Sequence, residues 1–209
     1  MQVKKENIRR SILNTARDEF MKNGFSACSI RTIAKNAGVT TGNIYNYFQS
    51  KDEIFVEILR PTVFFIDSAI SADSSFLMVE QQEEKTIEWY RDRMKMIVSF
   101  IDQNRDDLDL LLFKSKGSSL YAYKDLAVEK YTELITKHLK ALQKGKPEVK
   151  VNITPYFWHS IAKYFMNVVN EVIGKKMSGA EFEKFSEEII HLMYHGFESL
   201  YKSNVEKGK

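Results

Sequence analysis

The sequence is poor in the residues that build cross-links and turns. Its 209 residues include one cysteine, nine glycines and three prolines. A single cysteine excludes an internal disulfide framework and a zinc site made of several cysteines. The scarcity of glycine and proline argues against a sandwich or barrel of many short strands, because such folds need frequent turns. These absences favour a helical protein.

Long apolar runs are missing as well. The densest, residues 63–66, is four residues long, whereas a membrane helix needs about 18 or more. The charged N-terminal stretch lacks the apolar segment of a signal peptide, so we expect none. Hydrophobic residues make up 44% of the chain, which is enough to bury a core at this length. We therefore expect a cytoplasmic protein with no membrane segment.

The net charge of +3 is too small to indicate a nucleic-acid partner by itself. Its distribution is more informative. Residues 1–60 hold 10 Lys and Arg against 6 Asp and Glu, whereas residues 61–209 hold 21 against 22. The basic excess therefore lies at the N-terminal end, although an excess of this size is a weak signal.

Apolar residues recur every three or four positions almost throughout, which predicts an all-α fold. Gly24 is placed to end the first helix, and the capping box Ser50–Glu53 opens another, which Pro61 is expected to kink or end. Residues 72–80 are predicted to form a loop. Further helices are predicted near 82–103, 106–115, 121–144, 155–174 and 179–201.

Residues 29–48 have the pattern of a helix-turn-helix. Ser29 and Thr40 can cap two short helices, Gly38 permits a left-handed turn between them, and Val39 can fill the space beneath. The second helix carries short polar and tyrosine side chains that suit base edges and phosphates in a major groove. The alternative is a surface helix of an ordinary helical domain.

Two stretches, residues 33–39 (IAKNAGV) and 42–54 (GNIYNYFQSKDEI), resemble the signature of TetR-type transcriptional regulators. The resemblance covers about residues 6–60, and the rest of the chain matches in organisation only. It implies an N-terminal three-helix helix-turn-helix DNA-binding domain (1–50), a connecting helix (51–70) and a C-terminal helical ligand-binding and dimerisation domain (71–209).

The same resemblance implies a set of DNA-contacting residues around a recognition helix at 41–47. Lys51 corresponds to a phosphate-contacting lysine at a helix N-terminus. Tyr45 has two alternatives, packing against the first helix and contacting phosphate, and Asn43 stands where threonine is more frequent, so its partner stays open. The full set is Arg31, Thr40, Thr41, Gly42, Asn43, Tyr45, Tyr47 and Lys51.

The C-terminal half predicts a homodimer. Apolar stripes on the helices 155–174 and 179–201 suit a four-helix bundle with a second copy, although each stripe can also face its own core. Aromatic residues are plentiful here and suggest an apolar cavity for a small-molecule effector, although such residues are more often core. The residues that could line it are Trp89, Tyr90, Met94, Phe113, Tyr121, Tyr123, Trp158, His159 and Phe165, and the preferred candidates among them are Trp89, Phe113, Tyr123, Trp158 and His159.

One metal-site alternative exists in the last predicted helix. Glu188, His191 and His195 have a spacing that can chelate a metal, as in helical bundles with carboxylate-bridged iron. The second Glu-x-x-His of such a site is missing, and helical geometry turns these side chains away from the apolar stripe. Phosphate-binding and nucleophile-elbow motifs of enzymes are absent too. We therefore expect neither a cofactor nor an enzyme.

Together with the resemblance, these features predict a homodimeric, sequence-specific repressor that binds a palindromic operator in double-stranded DNA. A small-molecule effector is expected to release it. Two alternatives stay open: a metal-binding helical-bundle sensor or enzyme, and a helix-turn-helix adaptor without ligand control.

Overall fold

The computed structural model describes residues 2–73, 87–145, 149–151 and 153–207. Most of them are helical, so the all-α prediction is confirmed; two three-residue strands, Val149–Val151 and Val205–Lys207, form one short antiparallel pair in which Val149 lies opposite Lys207. The loop predicted at 72–80 falls outside the described residues beyond Asp73, as does the start of the helix predicted at 82–103. The elements are α1 (Gln2–Ala27), α2 (Ile30–Asn36), α3 (Thr41–Tyr45), α4 (Lys51–Asp73), α5 (Ile87–Gln103), α6 (Arg105–Phe113), α7 (Tyr123–Gly145), β1 (Val149–Val151), α8 (Pro155–Gly174), α9 (Gly179–Asn204) and β2 (Val205–Lys207).

Local capping sets several helix ends where the sequence predicts them. Gly24 has φ +73° and interrupts α1 near its end. The Ser178 hydroxyl accepts a hydrogen bond from the Glu181 amide at 3.4 Å, and the Glu181 carboxylate accepts one from the Ser178 amide at 2.9 Å. Hydrogen bonding to Ser178 lowers the pKa of Glu181 from its ordinary value. This reciprocal capping box opens α9.

The sequence predicts that Pro61 either kinks or ends its helix. Helix α4 does not end there. It continues to Asp73. Leu59 and Thr62, on either side of the proline, are almost fully buried. Packing on both sides therefore holds the helix together despite the backbone hydrogen bond that the proline removes.

Contacts divide the chain into two units. Unit 1 comprises Met1–Phe65 and Arg105–Lys124, and unit 2 comprises Ile66–Asn104 and Asp125–Lys209. Helix α6 and the segment after it thus pack with the N-terminal helices, although the sequence places them in a domain spanning 71–209.

Unit 1 has a compact aromatic core. The rings of Phe20 and Phe25 each lie 5.1 Å from the ring of Phe55, in edge-to-face arrangements. Such pairs contribute about 0.5–1.5 kcal/mol beyond their buried area. Ile33 of α2 and Ile44 of α3 are fully buried in the same unit, so the two short helices are held by packing as well as by their caps.

Unit 2 is built from longer helices, with α5 packed against α9. Ile135, Trp158, Ile189 and Met193 form a buried cluster at its centre. Among the described residues, no helix is long and apolar enough to cross a membrane.

Candidate nucleic-acid interface

The predicted helix-turn-helix is present in unit 1. The hydroxyls of Ser29 and Thr40 each accept a hydrogen bond of 3.1 Å from the backbone amide three residues later in the chain. These hydrogen bonds cap α2 and α3. Gly38 has φ +68° in the turn between the helices. That left-handed conformation is the one that glycine adopts at little cost. Caps, turn and buried core together fix the angle between α2 and α3.

The outer face of α3 is polar and open. Tyr45 is 55% exposed, so it is not a core residue; partial packing against α1 and a phosphate contact both stay predictions. Thr40 and Gly42 are exposed, and Thr41 and Asn43 are half-buried. The helix ends at Tyr45 rather than at residue 47 as predicted, because the chain turns there to bury Phe48.

Cationic side chains lie on the neighbouring elements. Arg31 is exposed at the second position of α2. The ammonium of Lys5 lies 5.9 Å from the centre of the Tyr47 ring, within reach of a cation–π interaction. Arg9 is used within the fold, since it forms an ion pair with Glu57 of α4 at 2.5 Å.

Lys51 has a role that the sequence did not indicate. Its ammonium donates to the backbone carbonyls of Phe25, at 2.6 Å, and Cys28, at 2.7 Å. It also lies 4.2 Å from the centre of the Phe25 ring. Two of its three N–H groups therefore bind the end of α1. The phosphate contact implied by the resemblance stays a prediction.

The capping box at the start of α4 is confirmed in modified form. The Ser50 hydroxyl accepts from the Glu53 amide at 3.0 Å. The Glu53 carboxylate reaches one residue further back than predicted and accepts from the Gln49 amide at 2.5 Å. Asp52 accepts from the Ser119 amide at 2.8 Å, so the start of α4 is also bound to the segment after α6.

Cys28 is a packing residue, as predicted. It is 4% exposed. Burial raises the pKa of its thiol, Glu19 raises it further, and the ammonium of Lys51 opposes them. A thiol with a raised pKa stays protonated and is a poor nucleophile.

Unit 2 contains an apolar cavity of about 190 Å³ among its helices. Its walls include Tyr90, Arg93, Met94 and Phe165. Three of the nine predicted residues, Tyr90, Met94 and Phe165, contribute to it, whereas none of the five preferred candidates does. Side chains one position along a helix point about 100° away, so Tyr90 faces the cavity and its neighbour Trp89 does not.

The five preferred candidates have other environments. Trp158 is buried in the central cluster of unit 2, and Trp89 is 37% exposed. The Tyr123 hydroxyl donates to the Val63 carbonyl at 3.3 Å within unit 1. Phe113 also belongs to unit 1 and is 49% exposed. His159 lies 3.4 Å from the Thr132 hydroxyl.

The metal alternative gains no support. Glu188, His191 and His195 are all exposed on α9, as predicted from helical geometry. The two histidine rings stack with centres 6.0 Å apart. Within the described part of the chain, no three His, Cys, Asp or Glu side chains are placed to hold a metal ion.

Comparison with known proteins identifies the family. Residues 12–58 match the family described as bacterial regulatory proteins, tetR family. The HTH-type transcriptional regulator UidR of Escherichia coli K12 is 25% identical over 158 residues, which span 73% of this chain and 75% of UidR. The regulator QacR of Staphylococcus aureus is 38% identical over 54 residues, 26% of this chain and 29% of QacR. Residues 12–58 therefore belong to the tetR family of bacterial regulatory proteins.

Solved structures of TetR-family regulators share its fold. NalD of Pseudomonas aeruginosa, described as a secondary repressor of a multidrug efflux pump, has a TM-score of 0.61 at 19% identity and covers 96% of this chain and 98% of its own. FadR of Bacillus subtilis, solved with stearoyl-CoA, has a TM-score of 0.56 at 18% identity, and the match covers 90% of this chain and 98% of the FadR chain. The family and these relatives are regulators rather than enzymes.

Proposed function

We propose that this protein is a TetR-family repressor that binds a palindromic operator as a homodimer and is released by a small molecule. The observation that carries the DNA-binding part is the exposed polar face of α3 on a capped, tightly packed helix-turn-helix. Side chains on such a face can reach base edges without unfolding any part of the unit.

The proposed DNA contacts divide by chemistry. Asn43 offers the amide that pairs with adenine, and Thr41 offers a hydroxyl. Arg31 and the hydroxyls of Tyr45 and Tyr47 suit phosphates beside the groove. Thr40 and Gly42 lie at the start of α3, where the backbone can approach the DNA. Lys51 supports the interface chiefly by holding the end of α1, and one N–H is left for a phosphate.

The homodimer is proposed to form through α8 and α9. Leu192 of α9 is 62% exposed and Tyr156 of α8 is 83% exposed, so apolar surface is available outside the core of unit 2. Two antiparallel helices from each copy can form a four-helix bundle. A two-fold dimer presents two recognition helices, and its operator has matching symmetry.

Release by a ligand is proposed to begin at the cavity of unit 2. Helix α4 contributes residues to both units. A ligand that prefers one arrangement of the helices can therefore shift the spacing of the two recognition helices in the dimer. The FadR structure with stearoyl-CoA supports this, because a protein of the same fold was solved with a small molecule.

Selection of bound sequences from a random pool of double-stranded DNA tests the proposal with the full chain. We expect a palindromic consensus whose half-sites lie about 34 Å apart or a multiple of it. Binding should weaken steeply with salt, since phosphate contacts release counterions. Enrichment of no sequence, or of a single half-site without symmetry, would contradict it.

A further inference from the structure

We propose that the cavity of unit 2 binds an uncharged, apolar molecule about as large as a substituted benzene ring, and that it discriminates against ionised molecules of the same shape. The inference rests on the proposed function, because it names the chemical class of the effector. Every described residue that lines the cavity belongs to unit 2.

The size of the cavity suits one substituted ring. Its volume is about 190 Å³, whereas an engineered apolar cavity of about 150 Å³ in another protein admits benzene. Protein interiors are otherwise closely packed and have few voids larger than a water molecule. A cavity of this volume can therefore admit a ring that carries a short branch.

The walls offer almost only apolar contacts. All but three of the described lining residues have hydrocarbon or thioether side chains, which come from α4, α5, α7, α8 and α9. Met94, Met166 and Met193 are among them, and flexible thioethers adapt to the outline of an apolar ligand. Such walls give water few hydrogen-bond partners, whereas an apolar ligand gains contacts with them and leaves water.

The three polar side chains on the walls are Tyr90, Arg93 and Tyr131. Each of them takes part in interactions within the chain. An anionic ligand would therefore compete for Arg93 with the groups that this side chain already contacts. A cationic ligand would find no carboxylate among the described residues that line the cavity. Because an ionised group is unfavourable outside water without a new opposite charge, the walls favour an uncharged ligand.

Three probes of nearly the same shape separate the effect of charge from that of size. Isopropylbenzene is uncharged, benzoate is an anion and benzamidine is a cation at neutral pH, and each carries one short branched group on a benzene ring. Trp158 can report binding, since it is 3% exposed and packs in one cluster with Ile189 and Met193, which also line the cavity. The chain has two tryptophans, so Trp89→Phe leaves Trp158 as the sole reporter. Calorimetry on the unsubstituted chain checks the affinities.

We expect isopropylbenzene to bind about tenfold or more tightly than benzoate or benzamidine, because only the two ions must leave water without a free partner. Its affinity should change little between low and moderate salt, since no ion pair forms. Equal binding of the three probes, or tighter binding of either ion, would overturn the proposal.

A substitution that fills the cavity tests where the probe binds. Ala162 of α8 lines the cavity and is 7% exposed. Ala162→Leu places a larger side chain in the space and should weaken isopropylbenzene binding by about tenfold or more. Ala180→Leu is the matched control, since Ala180 is exposed on α9 and does not line the cavity. Equal effects of the two substitutions would overturn the site. The comparison of the three probes does not use these variants, so it decides the proposal even if Ala162→Leu fails to fold.

A mobility-shift assay on the selected operator separates this proposal from the wider one. Isopropylbenzene that binds and releases the operator supports both. Isopropylbenzene that binds without changing the operator complex supports the site and counts against its regulatory role. Absence of isopropylbenzene binding by a chain that still binds the operator overturns the site and leaves DNA recognition standing.

Discussion

The ammonium of Lys51 donates two hydrogen bonds to backbone carbonyls at the end of α1. Local capping by Ser29, Thr40 and Ser50 could be predicted, because each partner lies three residues away. The partners of Lys51 lie 26 and 23 positions earlier, and no periodicity or motif connects such distant positions. At the residue scale, the same side chain can therefore match a DNA-binding motif and serve the fold.

Replacing Lys51 by methionine should lower the free energy of unfolding by about 1–3 kcal/mol, because two carbonyls lose a charged donor. Lys35→Met is the matched control, since Lys35 is exposed on α2, and it should have little effect. Denaturant unfolding followed by circular dichroism measures both. Unchanged stability in Lys51→Met, together with a salt slope of operator binding flatter by about one unit, would instead indicate a phosphate contact.

At the element scale, α6 shows how a helix predicted correctly can be assigned to the wrong neighbours. Periodicity predicts a helix at 106–115, close to the observed Arg105–Phe113. Within unit 1 its Asp107 accepts a hydrogen bond from Thr62 of α4 at 3.0 Å and forms an ion pair with Arg17 of α1 at 2.5 Å. Those partners lie far away in the sequence, so chain order alone places α6 with the helices that follow it.

We expect Asp107→Ala to destabilise unit 1 by about 2 kcal/mol or more, because it leaves the buried Thr62 hydroxyl and Arg17 without their acceptor. Asp106→Ala removes an exposed carboxylate from the same first turn of α6, and should cost less than about 1 kcal/mol. Denaturant unfolding of both variants checks this. Similar losses would mean that the charge acts through the helix dipole rather than through the buried contacts.

At the scale of the whole molecule, the all-α fold could be predicted from the apolar periodicity along the chain, and the family and the position of α3 from residues 33–54. The cavity could not, since its walls come from five helices whose packing no local pattern encodes. Of the residues predicted from composition, Tyr90, Met94 and Phe165 line the cavity, whereas Trp89 and Trp158 do not. The exposed apolar surface of α8 and α9 leads to the proposed dimer.

Leu192→Glu should convert the dimer into a monomer, because it places a charge in the proposed apolar interface. Leu126→Glu is the control, since Leu126 of α7 is 60% exposed and Leu192 is 62% exposed. Light scattering after size-exclusion chromatography measures the mass of each variant. A dimeric Leu192→Glu protein, or a monomeric Leu126→Glu protein, would place the interface elsewhere.

The central claim is that the outer face of α3 reads the operator. Repeating the DNA selection with Asn43→Ala tests it most directly. We expect the palindrome to persist and the preference to fall by about 1–3 kcal/mol at one position in each half-site, if the amide binds a base in two places. An unchanged consensus, or a loss of affinity spread evenly over every position, would contradict recognition by Asn43.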